Sequence, residues 1–123
     1  MRLYKCEACG NIVEMVQDSG VNPVCCGKEM TELIPGTSDG AVEKHVPVVK
    51  IKDCKVCVMV GEEPHPMEQS HYIEWIAIET TTGLQKKHLK PGDKPEAEFM
   101  LTDCEKLVTA YAYCNMHGFW KCK

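Results

Sequence analysis

The hydrophobic pattern of the chain changes character near residue 40. From residue 41 onward, short apolar stretches recur, one alternating with polar residues at the two-residue period of a strand and others rich in β-branched and aromatic residues. Val46-Pro47-Val48-Val49-Lys50-Ile51-Lys52 alternates after its proline, and Lys55-Val56-Cys57-Val58-Met59-Val60 is short and β-branched. Tyr72-Ile73-Glu74-Trp75-Ile76-Ala77-Ile78-Glu79 is aromatic and β-branched, and Thr80-Thr81-Thr82-Gly83 ends it. Leu84 to Leu89, Glu96 to Leu101 and Leu107 to Tyr113 supply further strands. Gly61, Thr82-Gly83 and Pro91-Gly92-Asp93 supply turn chemistry between them. Strands spaced roughly 8–12 residues apart predict a sandwich or barrel.

The first 35 residues read differently. Ile12-Val13, Met15-Val16 and Leu33-Ile34 are brief apolar islands among Gly, Asn and Asp. A piece below about 40 residues buries too little to fold without a metal or another staple. Residues 1–35 are therefore expected to be a metal-stapled domain, residues 36–40 a Pro/Gly/Ser-type linker, and residues 41–123 a β-domain. The fold class expected is mainly β.

Charge and composition narrow the function. The chain has 123 residues, with 14 Lys+Arg against 18 Asp+Glu and a net charge of −4. A nucleic-acid binder would carry a basic excess. No apolar run approaches the roughly 20 residues that span a bilayer. Met1-Arg2-Leu3-Tyr4-Lys5-Cys6 shows no apolar signal region, so a cytoplasmic protein without membrane contact is expected.

The chain carries nine cysteines, an odd number that cannot all pair within one chain. Without an export signal, metal thiolates are a better reading than a disulfide framework. Cys6-Glu7-Ala8-Cys9-Gly10 is a C-x-x-C-G knuckle, and the adjacent Cys25-Cys26 follow, with Gly27 after them. Four thiolates suit tetrahedral zinc or iron, and spacing alone leaves both open. Two neighbouring cysteines cannot both reach one ion with relaxed angles, so a distorted tetrahedron is expected.

A second constellation is mixed. Cys114-Asn115-Met116-His117-Gly118 puts a thiolate and an imidazole three residues apart after a predicted strand. His65 and His71 flank the turn-rich Pro64-His65-Pro66-Met67-Glu68-Gln69-Ser70-His71, and His45 is expected at the start of a strand. A lone histidine of this kind is usually an ordinary surface residue. Four histidines and a cysteine at strand ends and loops are a different matter. A structural zinc site closes with four ligands. Five donors, four in a plane and one axial, leave a sixth octahedral position open. Imidazole suits iron, and an axial thiolate donates electron density to whatever binds opposite it. The residues thus point to small-molecule redox chemistry at iron.

These motifs together resemble one family. Cys6-x2-Cys9-x15-Cys25-Cys26, Gly40-Ala41-Val42-Glu43-Lys44-His45-Val46-Pro47-Val48, Pro64-His65-Pro66-Met67-Glu68, His71-Tyr72-Ile73-Glu74-Trp75-Ile76, Leu89-Lys90-Pro91-Gly92 and Tyr113-Cys114-Asn115-Met116-His117-Gly118 are similar to the desulfoferrodoxins, two-iron superoxide reductases. The resemblance implies a desulforedoxin-like first domain with iron on Cys6, Cys9, Cys25 and Cys26. It implies an immunoglobulin-like β-sandwich whose iron is held by His45, His65, His71, His117 and Cys114. It implies reduction of superoxide to hydrogen peroxide without dioxygen, electrons from rubredoxin or a similar donor, and a homodimer. By the same resemblance, Lys44 attracts the anionic substrate and organises water, and Glu43 is the sixth ligand of the oxidised iron.

Cys54, Cys57, Cys104 and Cys122 fall outside both expected centres and are read as buried or unpaired thiols. Cys54-Lys55-Val56-Cys57 is a C-x-x-C, but positions three apart on a strand face opposite sides. His88 is read as a surface residue. Two other functions remain open: a rubredoxin-like electron carrier working through the four-cysteine iron, and a zinc-stapled interaction domain.

Overall fold

The computed structural model describes residues 1–103 and 105–123, so the expectation for Cys104 lies outside the described residues. The chain forms two compact units, Met1–Ile34 and Pro35–Lys123.

The first unit has five short strands: β1 (Leu3–Lys5), β2 (Ile12–Glu14), β3 (Val24–Cys25), β4 (Lys28–Glu29) and β5 (Thr31–Leu33). β1 lies between β2 and β5, antiparallel to both, while β3 and β4 form a separate hairpin. One small core gathers buried Tyr4, Cys6 and Met30, with Met15 and Cys25 against it. Two of those five side chains are thiols of the candidate cluster, so the apolar part of this core is slight. That is the packing a metal staple compensates for.

The second unit opens with one helical turn, α1 (Val42–His45). Among the described residues seven strands follow: β6 (Pro47–Lys52), β7 (Lys55–Val60), β8 (Ile73–Thr80), β9 (Leu84–His88), β10 (Glu96–Met100), β11 (Leu107–Cys114) and β12 (Gly118–Lys121). They make two antiparallel sheets, of order β10-β7-β6 and β12-β11-β8-β9. Val56, Val58, Val60, Ala97 and Phe99 from one sheet meet Ile73, Ile76, Ile78, Ala110, Ala112 and Cys114 from the other. This is a seven-stranded β-sandwich of the immunoglobulin kind. Each fully buried Val or Ile here contributes about 2 kcal/mol, which fixes the strand register.

β-Branched and aromatic content, with alternation in places, is what made most of these strands legible. β7 repeats inward Val56, Val58 and Val60, and its observed bounds match the expected ones. β8 breaks the alternation. Tyr113 pairs with Trp75 but Cys114 pairs with Ile73, so Glu74 is an extra residue in a bulge. The bulge turns Ile73 inward, while Cys114 continues the core-facing row of Ala110 and Ala112 on β11.

Three sequence expectations change. His45 does not start a strand; it ends the helical turn of α1. Pro47 disfavours helix at Val46, which is extended at φ −70°, ψ 118°, and the strand begins only at Pro47. β12 was not anticipated, because Gly118-Phe119-Trp120-Lys121 is too short for a periodic signal. Cys54 precedes β7 in a hairpin turn whose other central residue, Asp53, has φ 54°. Within the expected linker 36–40, the Gly36 N–H donates to the Phe119 carbonyl at 2.9 Å.

Candidate metal centres

Four imidazoles of the second unit form a square. Consecutive ring centroids lie 4.6 Å (His45–His65), 4.7 Å (His65–His71), 4.9 Å (His71–His117) and 4.7 Å (His117–His45) apart. Neighbouring planes are 74–86° apart, while His45 and His71, across the diagonal at 6.4 Å, are only 28° from parallel. The square is supplied by α1, by the turn after β7, by the Glu68–His71 bridge and by the β11–β12 turn. Cys114 ends β11, fully buried, with its Sγ 3.9 Å from His117 Nδ1.

The hydrogen bonds assign the ring nitrogens. His45 Nδ1 lies 2.7 Å from the Ala41 carbonyl and His65 Nδ1 lies 2.6 Å from the Pro66 carbonyl. A carbonyl only accepts, so each Nδ1 carries the proton and each Nε2 presents a lone pair. Those two Nε2 atoms are 3.1 Å apart, and His45 Nε2 is 3.0 Å from His117 Nδ1. Lone pairs facing each other at that distance repel unless a cation lies between them. His71 Nε2 is buried with no hydrogen-bond partner. A square of nitrogens each about 2.1 Å from an ion has edges of about 3.0 Å, against about 3.4 Å for a tetrahedron. The observed separations fit the square, so the residues fit a metal with four equatorial imidazoles and a thiolate.

The environment supports the neutral ligand forms. Burial first of all pushes the His65 imidazole down to about 4, with the Pro66 carbonyl opposing. Burial also lowers His45 and His71. Burial raises the Cys114 thiol, while N–H groups of Met116 and His117 pull the other way. A cation at the centre would reverse that balance and favour the thiolate.

The first unit holds the second cluster. Sγ of Cys9 is 3.6 Å from that of Cys25, which is 3.9 Å from that of Cys26; the four donors, Cys6 included, lie within 4.8 Å of one another. Sulfurs about 2.3 Å from one ion in a tetrahedron lie about 3.8 Å apart. The vicinal pair is accommodated by a two-residue hairpin turn, Cys26-Gly27, with φ of 54° and 74°. Two consecutive positive φ values mark a type I′ turn. The Cys9 N–H donates to Cys6 Sγ at 3.4 Å and is the main reason the Cys6 thiol falls to about 6. Cys26 is pushed up to about 12, first by Cys9 and then by Cys6 and Cys25. Successive negative charges on clustered sulfurs oppose each other until a cation neutralises them.

Comparison with known proteins agrees with both clusters. The desulfoferrodoxin family matches residues 37–123, and the desulfoferrodoxin N-terminal domain matches residues 1–33. The chain belongs to the desulfoferrodoxin family. A desulfoferrodoxin of Nitratidesulfovibrio vulgaris is 51% identical over 119 residues, covering 97% of this chain and 93% of the relative. A desulfoferrodoxin homolog of Archaeoglobus fulgidus is 49% identical over 121 residues, covering 98% and 95%. The crystal structure of the superoxide reductase from Treponema pallidum superposes with a TM-score of 0.82 at 36% identity, covering 98% of both chains. The two donor sets match the two iron centres of a desulfoferrodoxin.

The sequence-predicted residues do not all converge. All nine expected histidine and cysteine ligands fall in the two clusters, and the tenth expected ligand, Glu43, does not. Glu43 is exposed on α1 and contributes no atom to either cluster, and Lys44 beside it is half-buried. Cys54 is exposed and Cys57 half-buried, both free thiols, and burial raises the Cys57 thiol. Cys122 is half-buried against the core and accepts the Ala110 N–H at 3.2 Å. His88 is exposed.

Two residues that brace the desulfoferrodoxin square were not singled out from the sequence. The Trp120 indole stacks on His45 and donates Nε1–H to the His117 carbonyl at 2.9 Å. Asn115 accepts the Tyr72 N–H at 2.9 Å and donates to the Ser70 carbonyl at 3.0 Å, tying the Cys114–His117 turn to the His71 loop. Asn115 sits inside the Cys-Asn-x-His-Gly motif, so its signal was present. Trp120 gave none beyond being one of two tryptophans.

Proposed function

We propose that this chain is a superoxide reductase acting at the site of His45, His65, His71, His117 and Cys114. The observation that carries the reading is the square of four imidazoles gathered with one buried thiol. The overall reaction takes superoxide, one electron and two protons to hydrogen peroxide. Iron, if held by these five residues, would supply the electron and a place for the small anion to bind.

The remaining work falls to the protein. Lys44, adjacent to His45, offsets the net charge of −4 locally and draws the anion toward the square. The same ammonium orders water that delivers protons. Glu43, exposed on α1 beside Lys44, would serve as an exchangeable carboxylate donor to the oxidised metal. Burial of Cys114 excludes water from its sulfur and keeps its electron density directed at the site.

Cys6, Cys9, Cys25 and Cys26 hold the second iron, with Cys9 and Cys26 exposed for electron exchange. Rubredoxin or a similar carrier is the donor, and the working unit is a homodimer. Superoxide generated by a radiation pulse in the presence of the reduced, iron-loaded protein tests this. Stoichiometric peroxide without dioxygen is expected. Dioxygen evolved in parallel with peroxide would mean dismutation and sink the reading.

A further inference from the structure

Two ligand loops of the His/Cys site meet at a residue with no side chain. Gly61 is buried at the end of β7, with φ +72°. A Cβ built there would lie 2.4 Å from the Glu43 carbonyl oxygen, 2.5 Å from Lys44 C and 2.6 Å from Lys44 Cα. All three atoms are backbone, so no rotamer change relieves the contact. The backbone of α1 therefore rests directly on the Gly61 turn.

The contact is fastened on both sides. The Glu63 N–H donates to the Glu43 carbonyl at 3.0 Å, and the His65 N–H donates to the Val60 carbonyl at 3.0 Å. The Val60–His65 turn thus carries His65 on one end and supports Glu43, Lys44 and His45 on its back. His45 Nε2 and His65 Nε2, the atoms these loops deliver, stand 3.1 Å apart.

We propose that Gly61 is the positioning residue that sets α1, and so His45, Glu43 and Lys44, against His65. The inference builds on the metal site described above but does not require that its substrate be superoxide. A methyl group at residue 61 would have to displace α1 by about 1 Å to reach ordinary contact distance. A functional constellation tolerates displacements of only about 0.5 Å. The cost falls on the geometry of the His/Cys site and leaves the four-cysteine cluster untouched, since every contacted atom belongs to α1.

The test uses Gly61→Ala in the full, iron-loaded chain, with Gly92→Ala as its control. Gly92 also has positive φ, +92°, but a Cβ there meets nothing within 4 Å. The control therefore carries backbone strain without the contact. In Gly61→Ala the thiolate-to-iron band and midpoint potential of the His/Cys site shift, and that iron is lost to a chelator roughly 10-fold faster. The four-cysteine band stays unchanged, and Gly92→Ala behaves like the parent. An unshifted band and potential in folded Gly61→Ala, or equal shifts in both variants, would overturn the proposal.

Should Gly61→Ala not fold, the parent protein still decides. The Glu63 amide, on an exposed residue, is expected to be protected from hydrogen exchange, and more strongly when iron is bound. An unprotected Glu63 amide in the loaded protein overturns the proposal. Failure of superoxide reduction in the parent would count against the proposed function and leave these readouts intact.

Discussion

The indole of Trp120 lies against the imidazole of His45, ring centroids 4.9 Å apart and planes 26° from parallel. Trp120 is 4% exposed, and its Nε1–H reaches the His117 carbonyl. One side chain on β12 thus restrains two neighbouring corners of the histidine square. Gly40 leaves the room for this, since a Cβ there would lie 3.1 Å from both His117 Cβ and Trp120 Cζ2.

Replacing Trp120 separates its two contributions. Trp120→Phe keeps an aromatic face but removes the donor, a bond contributing about 1 kcal/mol. Trp120→Leu also removes the stack, a contact of about 0.5–1.5 kcal/mol beyond its area. Iron retention at the His/Cys site against a chelator is expected to fall several-fold in Phe and roughly 10- to 100-fold in Leu. The band of that site reports it directly. A Leu variant that holds iron as tightly as the parent would remove Trp120 from the bracing role.

Lys44 offers a kinetic prediction. It is half-buried beside His45 in a chain of net charge −4, so its field acts locally. Lys44→Ala should lower the second-order rate with superoxide roughly 3- to 10-fold at low ionic strength. The gap should narrow as salt shortens the screening length to about 10 Å at 0.1 M. Equal rates at low salt would sink the steering role, and a gap independent of salt would assign Lys44 to proton delivery instead.

Part of the second unit was legible because β7 and β10 bury alternate residues and follow the two-residue period, and part because β8 and β11 are rich in apolar, aromatic and β-branched residues. Val56, Val58 and Val60 fixed β7 to the residue. The nine residues that gather in the two clusters were legible because metal chemistry leaves few residue types to choose from. What escaped depended on contacts between distant segments. His45 sits on a helical turn because Pro47 delays the strand, and a single turn has no periodicity to read. Trp120 and Gly61 brace the site by what they touch, and neither carries a ligand atom. The Glu74 bulge, which keeps Ile73 and Cys114 together in the core, is a pairing irregularity invisible in one strand alone.

Metal removal should act unequally on the two units. Met1–Ile34 buries Tyr4 and Met30 together with thiols, whereas the second unit has an apolar core shared between two sheets. In a unit this small, metal-binding free energy is folding free energy. Chelation is expected to abolish amide protection in β1, β2 and β5 while β7, β8 and β11 stay protected. Persistent protection of the first unit after complete metal loss would show that its core suffices.

Glu105 supplies a pH prediction away from both metals. It accepts the Thr80 hydroxyl at 2.5 Å and the Thr82 hydroxyl at 2.9 Å with one oxygen, and the Thr102 N–H at 3.0 Å with the other. These bonds, the Thr80 hydroxyl foremost, hold its carboxyl down at about 2, below the ordinary 4.5. The unfolded chain therefore binds the proton more readily, and the Glu105 contribution is fully present above pH about 4.5 and vanishes as pH falls through about 2. Glu105→Gln keeps an acceptor but loses the charge. Its melting temperature should lie below the parent's at neutral pH, and the difference should shrink between pH about 4.5 and 2. Comparing variants at each pH cancels any acid loss of iron. A gap that stays constant across that window would mean the carboxylate charge contributes nothing to holding Glu105 against Thr80, Thr82 and Thr102.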